Sequence, residues 1–259
     1  MIRLLLMLVT NLELQWRLQD FACSITKAGG EKGMNILVVG GGGREHAIIK
    51  KLRENERVET IYALPGNGGI AQDAVCTGIA ATDLDGIAAF ARENPVDFAV
   101  IAPDDPLVLG LADRLRGLGI PCFGPSAKAA AIEGSKVFAK DLMRKYGIPT
   151  ARYQVFTFSA EALAYLETCP YPAVVKADGL ALGKGVLICE DIAAARAAIA
   201  SIMEEKIFGA SGSRVVIEEF LTGPEVSVLA FTDGKTVVPM VSSMDHKRAK
   251  DGDRGLNTG

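Results

Sequence analysis

Residues 34–47 read MNILVVGGGGREHA. Asn35–Val39 is an unbroken apolar run, four glycines follow at Gly40, Gly41, Gly42 and Gly43, and a helical pattern extends from Glu45 to about Asn55. A strand that is apolar throughout, with no alternation, is covered on both faces, which is the condition of a parallel sheet. The same texture repeats downstream. Thr60–Leu64 reads as a strand that runs into Pro65-Gly66-Asn67-Gly68-Gly69, and Thr82 or Asp83 caps a helix reaching Asn94. Asp97–Ala102 is a third strand, followed by Pro103-Asp104-Asp105-Pro106, a helix over Leu107–Leu118 and a short strand over Pro121–Gly124. Strands alternating with amphipathic helices predict an α/β fold, with ligands beyond the carboxyl ends of the strands.

Glycines between a strand and a helix let backbone N–H groups approach an anion at the helix N-terminus. The obvious ligand is a dinucleotide, but the pattern fails. Counted from Gly40, the third glycine of GxGxxG falls on Glu45, and the second strand ends in Leu64-Pro65-Gly66-Asn67 with no acidic residue. A phosphate of a smaller ligand is the better reading, and a tight turn without any ligand is the alternative. His46, one of two histidines, reads as structural or solvent-facing.

After a helical linker from Gly134 to Gly147 the texture changes. Tyr153–Phe156, Ala173–Lys176, Val186–Cys189, Val215–Phe220, Val226–Thr232 and Thr236–Val241 read as strands, with helices over Ala160–Thr168 and Asp191–Glu204. Asp233-Gly234 is a hairpin signal. A mainly antiparallel sheet and a second, α+β domain are expected over residues 135–259. Within it, residues 173–186 read AVVKADGLALGKGV. This is no Walker A loop: three residues separate Gly179 from Gly183, Gly185 stands where Ser or Thr belongs, and the segment joins two strands. A glycine hairpin with Lys176 at its root and Lys184 in it suits a mobile flap over a triphosphate, both lysines acting as point charges. A solvent-exposed hairpin is the bland alternative, against which Lys176 speaks, because a lysine inside an apolar strand needs an anionic partner. Residues 215–225, VVIEEFLTGPE, carry Glu218 and Glu219 out of the core ahead of Phe220 and Leu221. Backbone groups there can meet an adenine edge, with Glu225 on ribose hydroxyls, although a solvated strand end would look the same. Residues 244–259 mix charges with a Gly-x-Asn-Thr-Gly loop, fit for phosphates or merely a charged tail.

The bulk properties exclude several classes. The charged fraction is 23% and the net charge −3, so no basic field points to nucleic acid. Five scattered cysteines without a CxxC fit free thiols in a reducing, cytoplasmic setting. Met1–Thr10 is apolar but short, no cleavage site follows, and no apolar run approaches the ~20 residues a membrane span needs. Residues 1–33 are read as an extension outside the fold.

Read together, these segments resemble the phosphoribosylamine–glycine ligase family of the ATP-grasp superfamily. The matching stretches are residues 34–48, ALPGNGG, APDDPL, GPSAKAAAIEGSKVFAKDLMRKYGIPTA, YPAVVKADGLALGKGV, VIEEFLTGPEVSVLAF and DHKRAKDGDRGLNTG. The resemblance implies a Rossmann-like domain over 34–134, then a partial ATP-grasp domain over 135–259 with its nucleotide-binding part near 156–224. It implies ligation of glycine to 5-phosphoribosylamine with ATP and Mg²⁺ or Mn²⁺. Lys136, Lys176, Gly183 and Lys184 would hold phosphates, and Glu218, Glu219, Phe220, Leu221 and Glu225 the adenosine. Gly40–Gly43, Arg44, Pro65, Gly66 and Asn67 would receive phosphoribosylamine, with Asp245, Lys247 and Asn257 at the reacting groups. The family has proline where Leu256 stands, and its metal carboxylates are expected beyond residue 259, so the 259-residue chain alone is expected to lack ligase activity. Another ATP-grasp ligase or carboxylase, and a non-catalytic nucleotide binder, stay open.

Overall fold

The computed structural model describes residues 2–3, 33–181, 185–232, 235–244, 248–252 and 254–257. The apolar run at its start becomes β1 (Met34–Gly40), the middle strand of a five-stranded sheet. With β2 (Val58–Pro65), β3 (Val75–Cys76), β4 (Phe98–Ile101) and β5 (Cys122–Phe123), the order is β3–β2–β1–β4–β5 and every pairing is parallel. Successive side chains of β1 fall into different cores, as the period of two requires. Leu37 and Val39 pack with Ile87 of α2 (Leu84–Glu93) and with Leu111 and Leu115. Ile36 and Val38 pack with Ile49 of α1 (Gly43–Arg53) and with Ile70. Both faces are therefore covered, the physical reason that β1 has no polar alternation.

Helix starts follow their caps. Asp83 accepts the Gly86 N–H at 2.9 Å and begins α2. The single helix expected over Leu107–Leu118 is two, α3 (Asp104–Val108) and α4 (Leu111–Gly117), because Gly110 sits between them at φ +90°. The helical linker expected from Gly134 to Gly147 is α6 (Lys136–Lys145), and a helix the sequence reading did not give, α5 (Ala127–Gly134), precedes it. Ser135 ends the first in extended conformation and caps the second, its hydroxyl accepting the Phe138 N–H at 3.1 Å.

Beyond α6 the second sheet contains β6 (Tyr153–Phe156), β7 (Ala173–Ala177), β8 (Val186–Cys189) and β9 (Val215–Glu219) in the order β6–β9–β7–β8, antiparallel throughout. Val175, Ala177, Val215 and Ile217 face α7 (Ser159–Leu166) and α8 (Ile192–Ile199), packing on Ala162, Leu166, Ala195 and Ile199. The residues between them, Val174, Lys176, Val216 and Glu218, lie on the opposite face. The helix expected to reach Glu204 is α-helical only to Ile199 and continues as a π turn over Ala200–Glu204. The strand expected over Val226–Thr232 is broken into β10 (Val226–Ser227) and β11 (Ala230–Thr232); β11 pairs with β12 (Val237–Pro239). The Asp233-Gly234 turn lies outside the described residues. Ile2–Arg3 runs parallel to β10, and the rest of residues 1–32 is not described. In the last segment the backbone of β13 (Arg248–Lys250) pairs with β14 (Arg254–Asn257). Among the described residues no helix is long and apolar enough to cross a membrane.

Gly110 gives a sign test of the helix break. In a continuous helix, glycine to alanine would stabilise by about 1 kcal/mol. At φ +90° the side chain is strained, so Gly110→Ala should instead lower the unfolding free energy by about 1–2 kcal/mol, read from the urea midpoint.

Candidate active site

The face of the second sheet turned away from α7 and α8 carries a lysine–carboxylate cluster. In the β7–β9 register Lys176 lies opposite Val216 and Val174 opposite Glu218, so Lys176 and Glu218 are diagonal neighbours on one face. Lys176 Nζ donates to Glu218 Oε2 at 2.8 Å. Lys140, from α6, reaches the same oxygen at 3.2 Å. Its ammonium also donates to Thr150 Oγ1 at 2.7 Å and lies 5.2 Å over the Tyr153 ring. Burial pushes the Lys140 ammonium below the usual lysine range, opposed by the attraction of the Glu218 carboxylate. The second Glu218 oxygen, Oε1, is buried without a hydrogen-bond partner among the described residues.

Glu219 belongs to a different pairing. Its carboxylate accepts the Arg152 backbone N–H at 2.9 Å and Arg152 Nε at 2.6 Å, which holds it below the usual carboxylate range. Phe220 and Leu221 are exposed beside it and Glu225 is half-buried. Phe220 and Leu221 continue directly from β9, past the Glu218 that contacts Lys176.

Lys136 stands at the root of the glycine hairpin, its Nζ donating to the Gly179 carbonyl at 2.6 Å. Buried Asp178 fastens this corner: Oδ1 accepts the Ser135 hydroxyl and the Val137 N–H, both at 2.9 Å, and Oδ2 pairs with Arg214 at 2.5 Å. The predicted flap residues Gly183 and Lys184 lie outside the described residues, as do Asp245 and Lys247. Asn257 is described only as backbone of β14.

The first glycine loop leaves the carboxyl end of β1. Here the connections diverge, to β2 and β3 on one side and to β4 and β5 on the other, so the loop occupies the switch point of the sheet. Gly40 has φ +128°, and a Cβ on Gly41 would lie 2.6 Å from the Gly66 carbonyl oxygen. Two chain segments are thereby held in contact: Gly66 N–H donates to the Gly40 carbonyl at 3.2 Å and Asn67 Nδ2 to the Gly41 carbonyl at 2.7 Å. Gly42, Gly43 and Arg44 are exposed. Glu45, in the place of the third dinucleotide glycine, is buried and turns back to accept the Gly42 N–H at 2.5 Å. The first-turn N–H groups that follow have no intrahelical acceptor and face an anion's natural position. Pro65 follows a cis peptide bond and brings Gly66 and Asn67 to this loop. His46 is tied to Asp73 at 2.9 Å; with Lys50 also on Asp73, that carboxyl sits below its usual range.

Among the described residues, contacts join predicted residues in two places, Gly40 and Gly41 with Gly66 and Asn67, and Lys176 with Glu218. Sequence reasoning missed Lys140, Arg152, Asp178 and Arg214. Lys140 had a readable signal, since it follows Lys136 by four residues and shares its helical face. Arg152 had none, because its partner is distant in sequence. Among the described residues no three His, Cys, Asp or Glu side chains gather as metal ligands. The charge that they offer a phosphate comes from lysines, arginines and backbone donors.

The chain thus combines a parallel sheet with a glycine loop at its switch point and a helix-backed antiparallel sheet in which a strand lysine meets the acid of the neighbouring strand. Residues 34–133 match the phosphoribosylglycinamide synthetase N domain and residues 134–259 the ATP-grasp (A) domain of the same synthetase. The chain belongs to the phosphoribosylglycinamide synthetase (phosphoribosylamine–glycine ligase) family. It is 50% identical over 228 residues to the phosphoribosylamine–glycine ligase of Allochromatium vinosum, covering 87% of this chain and 53% of that protein. The crystal structure of the Thermotoga maritima phosphoribosylamine–glycine ligase superposes with a TM-score of 0.73 at 35% identity, covering 87% of this chain and 54% of that one. The biotin carboxylase domain of Hydrogenobacter thermophilus 2-oxoglutarate carboxylase, solved with MgADP and bicarbonate, shares the fold at 19% identity (TM-score 0.60, 74% of this chain and 45% of that one). The chain spans about half the length of the curated relatives it matches.

Because Arg152 lowers the folded value of Glu219, the pairing contributes above the ordinary glutamate range and is lost as pH falls through the lowered folded value. A carboxyl-carbon NMR titration should place the Glu219 midpoint below about 4.3, the ordinary glutamate value. Arg152→Ala should raise it only part of the way, since the backbone N–H remains. A wild-type midpoint at or above the ordinary value contradicts the pairing.

Proposed function

We propose that this chain provides the phosphoribosylamine-binding and nucleotide-binding parts of a phosphoribosylamine–glycine ligase of purine biosynthesis, working in the cytoplasm. The reaction joins glycine to 5-phosphoribosylamine at the expense of ATP, giving glycinamide ribonucleotide, ADP and phosphate. A carboxylate is a poor electrophile. Transfer of the γ-phosphoryl group to the glycine carboxylate gives an acyl phosphate, from which attack by the amine expels phosphate. Such chemistry is mostly positioning and charge neutralisation.

The observation that carries the reading is the Lys176–Glu218 contact: the strand lysine and the strand-exit acid share one face, at 2.8 Å. In this reading Lys176 and Lys136 bind nucleotide phosphates, with Lys184 completing the charge from the hairpin. The strand exit Glu218–Leu221 carries the adenine, and Glu225 the ribose. The Gly40–Gly43 loop, with Arg44 and Pro65–Asn67, receives the phosphate of phosphoribosylamine at the helix N-terminus. Asp245, Lys247 and Asn257 serve the reacting groups. The domain division falls near residue 134. A divalent ion, Mg²⁺ or Mn²⁺, would neutralise the phosphate oxygens when bound, and the described residues contribute no ligand cluster to it.

Two measurements test this. In calorimetry the chain should bind ADP, and Lys176→Ala should weaken that binding by about tenfold, the worth of one charge-assisted hydrogen bond. A chimera carrying residues 34–259 in place of the matching segment of the Allochromatium vinosum enzyme should form glycinamide ribonucleotide. No ADP binding at millimolar ligand would overturn the nucleotide assignment. A folded chimera that turns over another amine or carboxylate instead would overturn the substrates.

A further inference from the structure

Glu218 is a buried carboxylate, 4% exposed in its side chain, with two ammonium groups on one oxygen. The two lysines differ in how they are held. An ammonium has three N–H donors. Lys140 directs them at Glu218 Oε2 (3.2 Å), Thr150 Oγ1 (2.7 Å) and the Ala151 carbonyl (3.5 Å), under 9% exposure and against the Tyr153 ring. Lys176 is more open, at 15% exposure, and the shared oxygen is its one hydrogen-bond acceptor among the described residues. Lys140 is thus fixed on every side by protein, while Lys176 retains donors for something else.

A lysine that turns its spare donors to a nucleotide phosphate shares its charge with a second anion and neutralises Glu218 less completely. Were it the sole partner, that sharing would leave a buried charge partly uncompensated, which is unfavourable. From this arrangement we infer that Lys140 is a positioning residue for the nucleotide, the standing counter-ion of Glu218 that frees Lys176 to turn its ammonium to a phosphate. The inference rests on the nucleotide reading above and deepens it. Lys140 itself touches no ligand. Its effect is confined to the phosphate part of the nucleotide, because Lys176 is the group it releases.

ADP and adenosine titrated separately into the full chain test the division of labour. Absence of ADP binding by the unaltered chain is the failure of the nucleotide reading itself. With binding present, Lys140→Met should weaken ADP by about tenfold or more, and adenosine by less than about twofold. Lys140→Arg, which keeps the charge, should restore most of the ADP affinity. In a Glu218→Gln background no carboxylate holds Lys176, and Lys140→Met should change ADP affinity by less than about twofold. Equal weakening of ADP and adenosine, or the same loss in the Glu218→Gln background, overturns the inference and leaves Lys140 a packing residue. Should Lys140→Met fail to fold, Lys140→Gln removes the charge and keeps a hydrogen-bond donor at the site. A loss confined to ADP then supports the role, and a loss shared with adenosine overturns it.

Discussion

One buried carboxylate organises the second half of this chain. Glu218 lies buried on the sheet face turned away from α7 and α8, and a carboxylate buried without a cation is strongly unfavourable. Two lysines from different elements pair with it, Lys176 of β7 and Lys140 of α6. The single oxygen they share therefore joins β9, β7 and α6 in one place. Such an arrangement is poor evidence of stability, since a hydrophobic replacement often does as well. Its value is geometric: it fixes two ammonium groups side by side near the end of β9.

Asp178 applies the same logic at the hairpin root. It ties the start of α6, through Ser135 and Val137, to the end of β7, and it holds Arg214 just before β9. The glycine hairpin therefore leaves a fixed base. The glycine loop of the first sheet is rigid in another manner. Backbone packs on backbone between Gly41 and Gly66, and Glu45 closes the loop from the helix side.

Much of the site was legible because its signals are local. Glycine runs, a lysine inside an apolar strand and two acids at a strand end are all readable over a few residues. Lys176 was expected to need an anion, and Glu218 is that anion. Glu219 was read with Glu218 as one acidic pair, yet the two acids point to different sides of the strand, and Glu219 is neutralised by Arg152. Arg152 and Glu219 are 67 positions apart, so nothing near either residue announces the other.

By itself the amino-acid order determined the elements and their class: the bounds of Tyr153–Phe156 and Val186–Cys189, a helix cap at Thr82 or Asp83, and the parallel character of the first sheet. These depend on side-chain period, caps and turn residues, all short-range. Only the tertiary structure decided the helix break at Gly110, the strand orders and the sharing of Glu218 between Lys140 and Lys176. Those depend on which distant segments meet, and on the charge a buried group must find there, which no local pattern records.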